Sequence, residues 1–389
     1  MTSSIAKRQQ YLVFGSPLIG EEEIAEVVAT LRSGWLGTGP KVKRFEEMFR
    51  EYVGAKHAIA VNSGTAALHL SMVVSGVGPG DEVVTTPMTF CATANAVLHT
   101  GATPVFVDVD PQTMNIDPTR IAAAITPRTR AILPLHFAGR PCPMDEIRAI
   151  ADEHGLLVIE DAAHCVEGRH HGRNVGTLST LTCFSFYVTK NLMTAEGGMV
   201  TTEEDSLAAK IKMYGLHGLS ADAWQRFSDK GYNHYQVVFP GFKYNMTDIQ
   251  ASLGIHQLPR LEPQLQRREE IWRRYDEAFA SFPITCPAPA EPNTRHARHL
   301  YTILVEQDRC GKTRDQVMRE LHERRVGTGV HYTALHLHPY YRERFGYREG
   351  QFPNTERIGR STLSLPLSAK LTDEDANDVI AAVHDVLQG

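Results

Sequence analysis

The stretch from Leu157 to Gly198 constrains this 389-residue chain more than any other. It opens with L-V-I-E-D-A-A-H-C-V-E-G, crosses a glycine-rich connection, and continues with T-C-F-S-F-Y-V-T-K-N and a short A-E-G-G turn. Two apolar, strand-like runs each end in one ionisable residue, Asp161 and then Lys190, 29 positions later. Taken singly, these read as an ordinary strand-terminal Asp and a surface Lys. Burying either charge without a partner costs several kcal/mol. Together they require a group between them that wants both a carboxylate and an amine.

Pyridoxal phosphate (PLP) is such a group, because its aldehyde takes a lysine amine and its protonated ring nitrogen takes a carboxylate. Ser185 stands five residues before the lysine, and the small residues Ala162, Ala163, Gly197 and Gly198 would let a flat ring approach the backbone.

The chain before this stretch reads as strands without alternation separated by helices. Glu21 to Leu31 has helical apolar spacing, and Ser33 to Pro40 is either a shaped glycine-rich loop around Trp35 or a plain linker. A helix closed by Gly54 follows, then the strand H-A-I-A-V, then Asn62-Ser63-Gly64-Thr65 leading into a helix. That strand–turn–helix is either an anion pocket at a helix N-terminus or a simple N-cap by Ser63 or Thr65. Val83 to Pro87, Pro104 to Asp110 and Arg130 to His136 supply further buried strands, and Met144 to Gly155 a helix. Such a pattern predicts a largely parallel sheet covered on both faces, with ligands beyond the carboxyl ends of its strands. Phe90, His136, Asp161 and Lys190 all follow such ends.

Past the lysine, E-G-G-M-V-T-T reads as a strand that closes the sheet, followed by a helix from Asp205. His217 to Phe242 is too long and irregular for a casual loop, which points to function or an interface. Thr247 or Asn245 caps the next helix, and the charged helix after it presents a solvated face. The predicted organisation is a lead-in over 1–15, a large domain over 16–255, and a small α+β domain over 256–389.

Composition excludes several classes. A net charge of -5 and a pI near 6.4 give no basis for nucleic-acid or anionic-membrane binding. No stretch approaches a membrane span, and the N-terminus lacks the apolar core of an export signal, so a cytoplasmic protein is expected. Six scattered cysteines without a C-x-x-C pair read as reduced thiols, not as a zinc or disulfide framework.

The ordered motifs S-G-T-A-A-L-H-L, G-D-E-V-V-T-T-P-M-T-F-C-A-T-A-N-A-V, P-V-F-V-D-V-D, V-I-E-D-A-A-H, F-S-F-Y-V-T-K-N and G-F-K-Y-N-M-T-D-I-Q-A resemble the DegT/DnrJ/EryC1/StrS sugar aminotransferases over roughly residues 12–385. The resemblance implies the fold-type I PLP-dependent α/β architecture, with a mostly parallel seven-stranded sheet in the large domain. It also implies a homodimer with active sites shared across its interface. By the same resemblance, Lys190 would be the Schiff-base lysine and Asp161 the partner of the pyridine nitrogen. Phe90 and Ala163 would cover the two ring faces, and His164 would meet the phenolic oxygen. The phosphate would be held by Gly64, Thr65, Ala66 and Ser185, with Asn245 reaching in from the other subunit. The 217–242 loop would cross toward the partner's site. Ala195 departs from the family, which has glycine at that turn.

Within the family, Gly327 to Phe345 and the H-G-L-S-A-D-A-W-Q-R loop look most like UDP-4-amino-4-deoxy-L-arabinose–oxoglutarate aminotransferases, or enzymes acting on a related 4-keto-hexose. His331 and Tyr332 would then approach the sugar or amino donor, Arg226 a diphosphate, and Trp35 the substrate. His331, His336 and His338 form a histidine-rich turn or, less in keeping with the rest, a metal site; no metal is assigned. The implied reaction is ping-pong transfer from L-glutamate, through pyridoxamine phosphate (PMP), to the C4 keto group of a nucleotide-linked sugar. A 3-keto-sugar or cyclitol aminotransferase and a non-catalytic regulator with the same fold are the alternatives.

Overall fold

Strands that are apolar on both faces need cover on both faces. The computed structural model, which describes residues 8–219 and 236–388, supplies it. In chain order, α1 (Glu21–Ser33) and α2 (Pro40–Val53) precede β1 (His57–Val61), α3 (Gly64–Val74), β2 (Glu82–Thr85), α4 (Cys91–His99) and β3 (Thr103–Phe106). Then come α5 (Ile121–Ala124), β4 (Thr129–Ile132), α6 (Met144–His154), β5 (Leu157–Asp161), the hairpin strands β6 (Arg169–His170) and β7 (Arg173–Asn174), β8 (Leu181–Ser185), β9 (Gly198–Thr202) and α7 (Asp205–Gly215). Beyond residue 235 lie α8 (Asp248–Gln257), α9 (Leu261–Phe279), β10 (Tyr301–Leu304), α10 (Gln307–Cys310) and α11 (Arg314–Glu323). The last elements are α12 (Pro339–Phe345), α13 (Pro353–Ser361), β11 (Thr362–Leu365) and α14 (Asp373–Gln388).

Seven strands form one sheet in the order β1-β9-β8-β5-β4-β2-β3. The pairings from β8 to β3 are parallel, and β9 is antiparallel to both of its neighbours, β1 and β8. Adjacent residues of one strand enter opposite cores. Ala58, Val158, Phe184 and Met199 pack toward α2, α6 and α8, whereas Ile59, Ile159, Cys183 and Val200 pack toward α3, α4 and α7. This is why the strand sequences lack alternation. A third core gathers α9, α11, α14, β10 and β11, and Leu12 of the lead-in joins it by exchanging backbone hydrogen bonds with Arg325 and Gly327. No helix among the described residues is long and apolar enough to cross a membrane.

Several local readings hold and others need correction. Gly54 closes α2 in a left-handed conformation, as its position predicts. Thr247, not Asn245, caps α8, in a reciprocal capping box with Gln250. The strand expected to close the sheet lies second from its edge, outside β8 but inside β1. The strand read from Pro104 to Asp110 ends at Phe106. The charged helix α9 is not wholly solvated, because Arg268 is buried and paired with the buried carboxylate of Glu167. In α1 the buried residues are Glu23 and Thr30, while Ile24, Val28 and Leu31 face outward. Glu23 turns inward because Arg260, Gln257 and the Gly20 amide all donate to its carboxylate.

Ala195 adopts φ +64°, a left-handed conformation that costs a residue with a Cβ about 1–2 kcal/mol. Glycine carries no such penalty, although it loses more chain entropy on folding. Ala195→Gly is therefore expected to raise stability by up to about 1 kcal/mol, read as a higher urea midpoint with an unchanged slope. A lower midpoint would show that the methyl group is held by favourable packing.

Candidate active site

The parallel strands place their carboxyl ends on one edge, and a cavity of about 610 Å³ opens there. Asp161 ends β5 inside it, with only 4% of its surface exposed. Its Oδ2 accepts from Thr93 Oγ1 at 2.8 Å and its Oδ1 from the Ala163 amide at 3.1 Å. Burial raises the Asp161 pKa, outweighing those hydrogen bonds and the nearby Lys190 charge. Lys190 follows β8 in a turn whose amide bonds to the Tyr187 carbonyl at 2.8 Å. Burial lowers its ammonium to about 8, with Asp161 opposing the shift. A carboxylate pushed up and an amine pushed down mark a site where charge is desolvated and only partly compensated.

The N-terminus of α3 enters the same cavity through Ser63, Gly64 and Thr65. The first amides of a helix have no intrahelical acceptor, and its dipole favours an anion there. Ser63 is the N-cap of this helix, and its Oγ accepts the Ala66 amide at 3.1 Å. That bond occupies the Ala66 N–H, which leaves Gly64 and Thr65 as the amides open to a ligand. Ser185, at the end of β8, lines the cavity beside them. A Cβ on Gly64 would stand 2.7 Å from that of Ser185, so only glycine permits this approach. Ala163 also lines the cavity, whereas Ala162 is fully buried behind it. Gly197 and Gly198 do not open room for a ring. They allow close contacts with Thr194 and with the Ser63 carbonyl.

His164, His331 and Tyr332 line the same cavity. The Tyr332 hydroxyl lies 3.0 Å from His164 Nε2, while the buried His164 Nδ1 has no protein partner. Burial holds His164 well below the usual imidazole range, with Lys190 and His299 adding to the effect, so the ring is neutral. His331 Nδ1 lies 2.9 Å from Ser364 Oγ, and its pKa is lowered to about 3 by burial and then by Lys190. Phe90 is 58% exposed at the cavity mouth, an open aromatic face. Together with Thr89, Val330 and Tyr332 it also lines an adjoining cavity of about 690 Å³.

Other expected residues lie elsewhere. Trp35 and Asn245 line a separate cavity of about 430 Å³, where Asn245 Nδ2 donates to Thr38 Oγ1 at 2.7 Å and Asn245 Oδ1 has no hydrogen-bond partner. Trp35 donates its indole N–H to the Thr38 carbonyl, so the 33–40 segment is a shaped loop. Arg226 lies outside the described residues. His136 is turned away from the cavity and lies 2.7 Å from the buried Glu160. His336 lies 3.1 Å from Glu356, apart from His331, so this histidine-rich turn does not converge on one point. Thr93, which supports Asp161, escaped the sequence reading, although its place one helical turn after Phe90 is a usable signal.

The chain matches the model of the DegT/DnrJ/EryC1/StrS aminotransferase family over residues 17–384. It is 51% identical over 386 residues to the spore coat polysaccharide biosynthesis protein SpsC of Bacillus subtilis (strain 168), covering 99% of each chain. Among solved structures, the PLP-form of Spr1654 from Streptococcus pneumoniae superposes with a TM-score of 0.90 at 34% identity, covering 97% of this chain and 99% of that one. The Helicobacter pylori aminotransferase PseC, involved in pseudoaminic acid biosynthesis, gives a TM-score of 0.90 at 28% identity, covering 97% and 100%. With the match spanning nearly its whole length, and with fold and motif order in agreement, the chain belongs to the DegT/DnrJ/EryC1/StrS aminotransferase family.

Proposed function

We propose that this protein is a PLP-dependent aminotransferase that moves an amino group from L-glutamate to the C4 keto group of a nucleotide-linked sugar, with UDP as the nucleotide. The observation that carries the reading is the convergence of Asp161, Lys190 and the α3 N-terminus on one cavity. The residues fit the cofactor. A buried carboxylate lacks a full counter-charge, His164 Nδ1 lacks a partner, and the Gly64–Ser185 contact keeps side chains out of the anion cradle. When bound, the cofactor supplies an electron sink for carbanion charge and carries the amino group between the two substrates.

The remaining work belongs to the chain. Lys190 Nζ anchors the cofactor and, once displaced by the amino donor, takes and returns the proton that moves between carbons. A pKa near 8 keeps part of its population neutral at physiological pH. Asp161 holds a proton on the ring nitrogen, steadied by Thr93 and the Ala163 amide. Gly64, Thr65 and Ser185 would hold the phosphate, Phe90 and Ala163 would flank the ring, and neutral His164, braced by Tyr332, would meet its oxygen substituent. His331 and Tyr332 face the substrate side, and the adjoining cavity beyond Phe90 gives room for a nucleotide. SpsC and PseC, both tied by name to carbohydrate biosynthesis, support a sugar acceptor.

The reading includes a homodimer. The outward-facing Ile24, Val28 and Leu31, continued by exposed Trp35 and Leu36, form an apolar stripe suited to a second copy. Asn245 and Trp35 would act from there in the partner's site. Six unpaired thiols support a cytoplasmic setting.

The test is spectroscopic. Added PLP should give the visible band of lysine-bound cofactor, L-glutamate should bleach it, and a UDP-linked 4-keto sugar should restore it. Restoration only by dTDP-linked or 3-keto sugars would move the acceptor. A band that glutamate leaves unchanged would overturn the donor, and the absence of any band would overturn the enzyme.

A further inference from the structure

The hairpin β6–β7 carries two adjacent histidines that the reaction does not use. His171 and Gly172 form its turn with φ +47° and +79°, the left-handed pair of a tight hairpin turn. Such turns favour Asn-Gly or Gly-Gly, so His171 pays a backbone cost that its ring must justify by some other contact. That ring stacks on His170 with centroids 4.1 Å apart, and its Nδ1 lies 2.6 Å from Asp145 Oδ2 in the first turn of α6. His170 is only 6% exposed, and its Nε2 points to the same carboxylate oxygen at 3.5 Å without a hydrogen-bond partner.

We infer that Asp145, His170 and His171 form a binding site for a Zn²⁺-class divalent ion, clamping the β6–β7 hairpin to the start of α6. Among the described residues, this is the one group whose ligand atoms converge, all lying within 4.8 Å of one another. Two ligands about 2.0–2.2 Å from a tetrahedral zinc ion stand about 3.3–3.5 Å apart. The His170–Asp145 spacing already matches, and the 2.6 Å His171–Asp145 hydrogen bond must open by less than about 1 Å. Both of its side chains are half-exposed, which gives them freedom to move and gives the ion a route in. Two imidazoles and one carboxylate select zinc and its neighbours over magnesium or calcium, which prefer all-oxygen sites. An ion would also satisfy His170 Nε2, which the ion pair between Asp145 and His171 leaves unpaired.

None of the three residues lines the Lys190 cavity, so the site is structural and independent of the reaction proposed above. The strand carrying His170 exchanges backbone hydrogen bonds with Arg295, at 3.0 and 2.8 Å between Arg169 and Arg295. The clamp would therefore steady α6, the hairpin and the 295 segment together.

The experiment is titration of chelator-stripped, cofactor-loaded protein with ZnCl₂, followed by calorimetry and by thermal unfolding. The expected result is one ion per chain with a saturable rise in the unfolding midpoint. Asp145→Asn and His171→Ala alter exposed side chains and should fold normally, yet each should weaken binding by more than about tenfold and abolish the midpoint rise. Unchanged midpoints without zinc would confirm that the variants are folded. Equal stoichiometry and affinity in wild type and both variants would place the ion elsewhere and overturn the site. So would failure of the wild type to bind saturably.

Discussion

Lys190→Ala is expected to cut turnover by at least about 10⁴-fold, because in the proposed reaction one nitrogen both anchors the cofactor and moves the proton. The variant should still fold, because Asp161 keeps its hydrogen bonds from Thr93 and the Ala163 amide, and a carboxyl whose pKa burial already raises can take up a proton when the nearby amine is removed. The visible band of lysine-bound cofactor should vanish even when PLP remains held by Asp161 and the α3 N-terminus. The depressed pKa adds a pH dependence with a definite sign. Below about 8 the Lys190 amine is mostly protonated and has no lone pair to offer. Cofactor capture by the apoprotein should therefore quicken about tenfold per pH unit up to that value and then level off. An ordinary lysine would let the rate climb toward pH 10. Stopped-flow absorbance distinguishes the two courses, and undiminished turnover in the variant would end the proposed role of Lys190.

Asp161→Asn should lower turnover by about 10²–10³-fold, the scale lost when a preorganised charge is removed from a desolvated site. The free protein holds this carboxylate at a raised pKa because burial outweighs its hydrogen bonds. A protonated ring nitrogen beside it would reverse that balance, since an opposite charge favours the ionised form. Asparagine keeps the shape and can still accept the Ala163 amide, but it offers no charge to hold the ring proton. The loss should appear in both half-reactions, the one with glutamate being the simpler to isolate, and the absorbance of bound cofactor should respond to pH where the wild type does not. Equal half-reaction rates in the two proteins would show that the ring proton is not held by Asp161.

Much of the architecture could be read from local sequence because its causes are local. The ends of β5 and β8 are visible as apolar runs that stop at Asp161 and lead to Lys190. The caps at Gly54, Ser63 and Thr247 are fixed by residues within one turn of them. Burial on both strand faces follows from the lack of alternation, and the unusual Ala195 proves to sit at positive φ. Each of these depends on neighbours a few positions away, and short-range geometry is what a sequence displays directly.

The tertiary structure decided what depends on segments far apart in the chain. Tyr332 meets His164 across 168 positions, and Thr93 reaches Asp161 across 68. His136 follows a strand end as do the cavity-lining Phe90, Asp161 and Lys190, yet the facing Glu160 draws it into the core. The apolar positions of α1 look like a core face, but Arg260 and Gln257 pull Glu23 inward and leave Ile24, Val28 and Leu31 outside. The two histidines of the β6–β7 turn gain meaning only because α6 brings Asp145 beside them. Periodicity and end signals thus determined the strands, the helices and the two ionisable residues at the centre. Which side chains face them was set by long-range packing, because partner choice in a close-packed interior depends on shapes and charges that no local window contains.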